Sequence, residues 1–302
     1  SFAMAWRNLG WAHWKYTKKF DEAARAYAKA IELDPKQPMF LEEIDQVYEA
    51  KGENVQVRYD LLKTRHDIGV KRYYPLASEV ITGTFVGDYD YVLDLLRNCY
   101  FPTREGVANF HDVYVNALLL AGQQKLAQGS YREAIRLFEE AFTFPENHQV
   151  FYVDTRTPGD ARIYYMIADA YEKMGNKTKA QLNYQKAVSV NVKKTDYRYW
   201  QALAYRKTGK ADKAEILFNS LVEDGKRNTV QRVVNFYGAE GTTGETVESV
   251  NTKAYYTTGL GELGLGNSSK AMECFKKSLE LKPDNLWSMV MLKQLQTLKQ
   301  TK

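Results

Sequence analysis

The chain has only two cysteines, Cys99 and Cys274, and four histidines, His13, His66, His111 and His148, among its 302 residues. Two isolated thiols build no disulfide framework, and neither paired cysteines nor a His-Glu-x-x-His spacing offers a metal site. Both cysteines fall on expected second helices of helix pairs, where a small apolar side chain packs well. No apolar run approaches the roughly 18–20 residues that a membrane span needs. Charge of one sign is also scarce. The 42 basic and 37 acidic residues leave a net charge of +5. The densest basic clusters, Lys18-Lys19 and Lys193-Lys194, are too short for a nucleic-acid interface. Gly241-Thr242-Thr243-Gly244 lacks the Lys-Ser/Thr that follows a phosphate loop and has no hydrophobic strand before it. No cofactor is therefore expected.

What the sequence has is a repeated stripe. From Gly129 to Ala141 a Gly-Ser-Tyr turn leads into a helix with Ala134, Phe138 and Ala141 at i, i+4 and i+7, one face of an α-helix. The same small–aromatic–small pattern returns as Ala23-Tyr27-Ala30, Ala180-Tyr184-Ala187, Ala214-Phe218-Leu221 and Ala271-Phe275-Ser278. An earlier helix precedes each, with a small residue near its middle: Gly10, Gly122, Ala168, Ala202 and Gly259. Small residues facing one aromatic ring let two antiparallel helices approach closely. An apolar content of 44% supplies the core, and 26% charge is ordinary for a folded chain.

Marking each second helix by its first stripe residue gives Ala23, Val57, Val92, Ala134, Ala180, Ala214 and Ala271. The steps are 34, 35, 42, 46, 34 and 57 residues. Val57 and Val92 rest on register alone. Seven units follow, two of them degenerate, at about 3–35, 38–68, 73–100, 107–145, 160–191, 195–224 and 251–283, with an amphipathic capping helix at 285–300. The first turn, Tyr16 to Phe20, carries one residue more than the others. Two insertions interrupt the series, Phe144 to Asp160 and Lys226 to Val250, and the second holds the apolar run Val233 to Tyr237, which is expected to pack. Asp160 is expected to cap the helix that follows it. A repeat array normally needs a polar cap at each end. Since Trp6, Leu9 and Gly10 already occupy first-helix positions, a fragment of a longer protein is expected.

A 34-residue period of helix pairs with this stripe resembles the tetratricopeptide repeat (TPR). The resemblance implies an all-α, right-handed TPR-type superhelix. A closer resemblance, from about residue 105 onward, rests on FEEAFTFPENHQV with DARIYYMIADAYEKMG and on NFYGAEGTTGETVESVNTKAYYTTGLGELGLGNSSKAMECFKKSLELKPDN. These segments are similar to the TPR half of long bacterial proteins that carry an N-terminal domain of unknown function related to galactose mutarotases. Gln149 stands where a glycine is common in that family. The resemblance implies a soluble bacterial protein, cytoplasmic or periplasmic, with a carbohydrate context.

In such arrays the first helices line the concave groove. The residues flanking the packed stripe there are Arg7, Trp11, Trp14, Gln123, Tyr165, Asp169, Tyr199, Trp200, Arg206 and Tyr256. Aromatic rings with Arg and Asp on a groove suit an extended peptide or a sugar ring. The expected function is non-catalytic: a scaffold that binds a protein partner, or the missing N-terminal half of its own chain, through the groove and the inserted loops. The alternative is the C-terminal part of a carbohydrate-active enzyme, with Glu146, Asn147, His148 and Arg156 completing a sugar site. A clamp for a terminal carboxylate would need Lys and Asn where the first unit has Arg7 and Trp11, so that mode is not expected.

Overall fold

The computed structural model describes residues 2–102, 110–149, 160–192, 194–231 and 246–300. The run Val233 to Tyr237, the glycine-rich segment 241–244, Lys193 and Arg156 lie outside the described residues. Sixteen α-helices and no strand are found among the described residues. By Cα proximity they divide into two compact units. One comprises residues up to 102 with 110–117 and 145–149, and the other 118–144 and everything described from 160 onward.

The first unit holds α1 (Phe2–Ala12), α2 (Phe20–Leu33), α3 (Pro38–Lys51), α4 (Val55–Thr64), α5 (His66–Gly69), α6 (Tyr73–Val86), α7 (Tyr89–Asn98) and the start of α8 (Phe110–Ala127). The second holds the remainder of α8, then α9 (Tyr131–Glu140), α10 (Ala161–Lys173), α11 (Lys177–Ser189), α12 (Arg198–Lys207), α13 (Ala211–Arg227), α14 (Val247–Gly264), α15 (Ser268–Leu281) and α16 (Leu286–Gln300). Within the second unit α9 to α16 each touch their neighbour in sequence, and α12 also touches both α10 and α14. These contacts between alternate helices join one pair to the next.

The stripe explains the pairs. Ala23, Tyr27 and Ala30, Ala134, Phe138 and Ala141, Ala180, Tyr184 and Ala187, Ala214, Phe218 and Leu221, and Ala271, Phe275 and Ser278 are all buried. The opposing small residue is there to admit the ring. A Cβ on Gly10 would lie 2.9 Å from Tyr27 Cδ2, and one on Gly259 2.6 Å from Phe275 Cε1. A Cβ on Gly122 would overlap the Phe138 ring. In the last pairs the same device also works between units of the repeat, since a Cβ on Gly264 would overlap Phe218. Burying a Phe or Tyr side chain in this way contributes about 1.5–3 kcal/mol.

Between the helices of a pair the chain must reverse, and a left-handed residue does it. Gly129, with φ +79° and open space around it, serves between α8 and α9. The first pair has Lys18 there instead, at φ 55°. Its extra residue is absorbed in a π-helical turn, His13–Thr17, closed by the Lys19 amide donating to the His13 carbonyl at 3.0 Å. A π-turn is how a helix takes in one additional residue.

One register position needs correcting. Val57 is 46% exposed, and α4 instead buries Arg58, Tyr59 and Leu62. Tyr59 is the ring that meets the small residue of α6, because a Cβ on Gly83 would lie 2.8 Å from it. Arg58 takes a buried place through its pair with Asp45, Nε to Oδ1 2.8 Å and Nη2 to Oδ2 3.0 Å. Val92, the other position set by register, is fully buried.

Gly122→Ala should lower stability by about 1–3 kcal/mol, the usual cost of overpacking a tight core. Urea unfolding checks it. Adding Phe138→Leu, which removes the opposing ring, should recover part of the loss.

Candidate polypeptide-binding surface

In the first unit, α1 and its π-turn present Arg7, Trp11 and Trp14, all partly exposed. Arg7 Nε donates to Glu43 Oε2 of α3 at 2.7 Å, and Nη2 pairs with Oε1 of the same carboxylate. Two parallel bonds fix the guanidinium plane. The Glu43 bond also raises the Arg7 pKa against the opposing effect of burial. Trp11 stands edge-on to Tyr16, with ring centroids 5.3 Å apart. The Lys15 ammonium lies 3.3 Å from the Trp14 ring centre, and desolvation lowers the pKa of that lysine. Both indoles pack on the cluster around Tyr27 and Ile44.

In the second unit Tyr165 and Asp169 are half-buried, one turn apart on α10. The Tyr165 ring is 5.5 Å from both Tyr184 and Trp200. Burial raises its phenol pKa, and the Asp169 charge adds to the shift. Asp169 pairs with Lys173 at 3.1 Å. Arg206, at the end of α12, is exposed, with its guanidinium carbon 4.6 Å from the Phe218 ring centre.

Tyr199, Trp200 and Tyr256 are different, since all three are buried. Trp200 lies edge-on to Trp287 of α16 at 6.3 Å, Tyr199 meets Phe218 at 5.8 Å, and Tyr256 meets Phe275 at 6.1 Å. Desolvation pushes the Tyr199 and Tyr256 phenols up. Trp200, held against Tyr199 and Trp287, is the buried ring of the three that Tyr165 meets. The α16 helix thus helps to cover Trp200, which no local pattern in α12 announces.

No periodic pattern in the sequence singles out Arg162, yet it is the most deeply buried cation near these rings. Its guanidinium bonds Asp160 through Nε at 2.9 Å and Nη2 at 2.6 Å, donates to the Tyr197 hydroxyl at 2.8 Å, and lies over Trp287 at 5.1 Å. Burial alone would lower its pKa, but Asp160 outweighs this and raises it. Asp160 also accepts from the Arg162 amide at 2.9 Å, capping α10 as expected. Desolvation raises the nearby Asp196 carboxyl. A buried pair of this kind fixes geometry more than it adds stability.

The first insertion places its candidate residues in two environments. Glu146 is exposed. Asn147 and His148 turn into the first unit and fasten the end of α7. The Asn147 amide donates to the Leu96 and Cys99 carbonyls at 2.9 and 2.6 Å, and its own carbonyl accepts from Phe101 N at 2.8 Å. His148 Nε2 meets the Leu96 carbonyl at 2.7 Å, with its ring edge-on to Tyr114 and Phe101. Its Nδ1 is buried without a hydrogen-bond partner among the described residues. The second insertion is held at its described edges by Asn251, whose side chain bonds both the amide and the carbonyl of Val230 at 2.8 and 2.9 Å.

The described residues contain no group of three or more His, Cys, Asp or Glu side chains able to hold a metal. Among them, no helix is long and apolar enough to cross a membrane. Cys99 and Cys274 are free and half-buried, and desolvation raises both thiols, which weakens them as nucleophiles.

A tetratricopeptide-repeat family model matches residues 1–38 and 165–228, and a second matches 252–285. Among solved structures, a tetratricopeptide repeat protein from Parabacteroides merdae ATCC 43184 is similar at 13% identity and a TM-score of 0.47, over 97% of this chain and 98% of that one. The TPR domain of P58(IPK) is similar at 13% identity and 0.32, over 100% and 99%. YrrB, described as a TPR protein with an unusual peptide-binding site, is similar at 18% identity and 0.24, over 89% and 99%.

Desolvation lowers the His148 pKa, opposed by its bond to the Leu96 carbonyl. An unfolded histidine titrates near 6.5. Below that pH the unfolded chain takes up the proton more readily, so stability is full above the unfolded pKa and falls as the pH drops through it. Thermal unfolding at pH 7.5 and 5.5 should show a larger drop for the wild type than for His148→Gln.

Proposed function

We propose that this chain, which carries tetratricopeptide repeats, is a non-catalytic scaffold that binds an extended segment of a partner protein along its first-helix faces. Tetratricopeptide-repeat proteins are in general protein-interaction scaffolds, and the fold is typically non-catalytic. The observation that carries the finer reading is one of register. Counted from the small residue of each first helix, Arg7 and Tyr165 occupy the same position, Trp11 and Asp169 the next, and Trp14 and Arg206 the one after. Arg7, Trp11, Trp14, Tyr165, Asp169 and Arg206 are partly open to solvent, whereas Tyr199 and Tyr256, at the register position of Arg7 and Tyr165, are buried.

The chemistry suits a peptide. Rings held by other rings lose little freedom on binding, which reduces the entropic cost of association. The Arg7, Asp169 and Arg206 charges can exchange their present contacts for a partner's backbone or side chains at the rim. Asn147 and His148 are engaged inside the first unit. Their engagement with the end of α7 leaves Glu146 as the solvent-facing member of the sugar-site set among the described residues.

The test is peptide selection on the immobilised chain, followed by fluorescence anisotropy with the selected sequences. Tyr165→Ala and Arg206→Glu should each weaken binding about 5- to 30-fold, the range of a central aromatic or arginine contact. Arg25→Glu, an exposed change on α2, should leave it unaltered. Binding equal in all variants would contradict the assignment.

A further inference from the structure

At three places the described chain builds one polar constellation, a phenol and a basic side chain sharing a carboxylate. The Tyr59 hydroxyl donates to Asp88 Oδ2 at 2.7 Å, and Lys63 pairs with the same oxygen. The Tyr91 hydroxyl donates to Glu79 Oε1 at 2.7 Å, with His66 Nδ1 2.9 Å from Oε2. The Tyr184 hydroxyl donates to Glu172 Oε2 at 2.6 Å, and the Lys207 ammonium lies 2.7 Å from that oxygen. A carboxylate held by one hydroxyl donor and one cation keeps its charge away from bulk water.

The second unit also sets a phenol and a cation together with no carboxylate between them. Tyr199 and Arg206 lie two turns apart on one face of α12. Both meet the Phe218 ring, Tyr199 with centroids 5.8 Å apart and Arg206 with its guanidinium carbon 4.6 Å from the ring centre. Tyr199 is only 7% exposed, yet its hydroxyl has no hydrogen-bond partner among the described residues. A buried hydroxyl left without a partner is uncommon in folded proteins. The Arg206 charge acts on this same phenol, opposing the upward effect of burial on its pKa.

The surrounding charges are already matched. Helices α10 and α12 carry five cations, and four of them are paired: Arg162 with Asp160, Lys173 with Asp169, Arg198 with Asp224 and Lys207 with Glu172. Arg206 is exposed and is the one of the five without a carboxylate partner among the described residues. The two carboxylates of these helices, Asp169 and Glu172, are both engaged by lysines.

We propose that an aspartate or glutamate side chain of the bound segment supplies the carboxylate, accepting from the Tyr199 hydroxyl and pairing with Arg206. This rests on the polypeptide-binding reading above and adds the side chain that the segment carries. A guanidinium offers two parallel donors that match a carboxylate, whereas a backbone carbonyl offers it no charge. A peptide C-terminus presents the same chemical group, and the test separates the two sources.

The probes are short random peptides, acetylated and amidated, panned on the whole chain beside a second library with free C-termini. Enrichment of Asp or Glu in the capped library is expected. Replacing the enriched acid by its amide should weaken binding about tenfold in fluorescence anisotropy, the usual scale for a charged hydrogen bond. On Tyr199→Phe and on Arg206→Gln the same replacement should cost less than about threefold, because part of the coupled contact is already gone. Tyr199→Phe should unfold in urea as the wild type does, which separates a binding role from a structural one. Arg206→Glu should prefer the peptide whose acid is replaced by lysine. Capped peptides without an acidic consensus, or indifferent to the amide, overturn this proposal and leave the polypeptide-binding reading standing. Enrichment confined to free C-termini also overturns it and gives the pair to a chain terminus. No enrichment from either library contradicts the polypeptide-binding reading itself, and this proposal with it.

Discussion

Everything in this chain depends on one contact, an aromatic ring of the second helix of a pair seated on a small residue of the first. Tyr27 over Gly10, Phe138 over Gly122 and Phe275 over Gly259 are its clearest cases. The contact sets the helix separation, and with it the positions on the first helix that remain open.

Those faces are arranged as a graded surface. Tyr199, Trp200, Trp287 and Tyr256 are the packed floor of the second unit, and Arg162 is locked among them by Asp160 and Tyr197. Tyr165, Asp169 and Arg206 keep solvent access. In the first unit the Arg7–Glu43 pair and the two indoles do the equivalent. For the proposed polypeptide contact, rigid neighbours mean preorganisation, which lowers the ordering cost that flexible loops incur.

Much of this was legible in the sequence because it is periodic. The spacing of Ala134, Phe138 and Ala141 repeats with little change, and an α-helix permits one geometry for it. The extra residue before Phe20 was legible too, although only coordinates reveal that a π-turn absorbs it. What the pattern concealed depends on distant partners. Whether Trp200 is open or buried is decided by Trp287, far along the chain on α16. His148 and Asn147 look like exposed loop residues until Leu96, about fifty positions earlier, supplies the carbonyl they bind. Val57 misled because the stripe of α4 runs two residues earlier, through Val55, with Tyr59 as the ring against Gly83 and Leu62 buried one turn on.

The most direct measurement of the central claim is hydrogen–deuterium exchange of the whole chain with and without a saturating peptide partner. Slowed exchange concentrated in α10 and α12 of the second unit, with α11, α13 and α15 unchanged, is the result this account predicts. Protection confined to the second helices, or spread evenly over the chain, would contradict it.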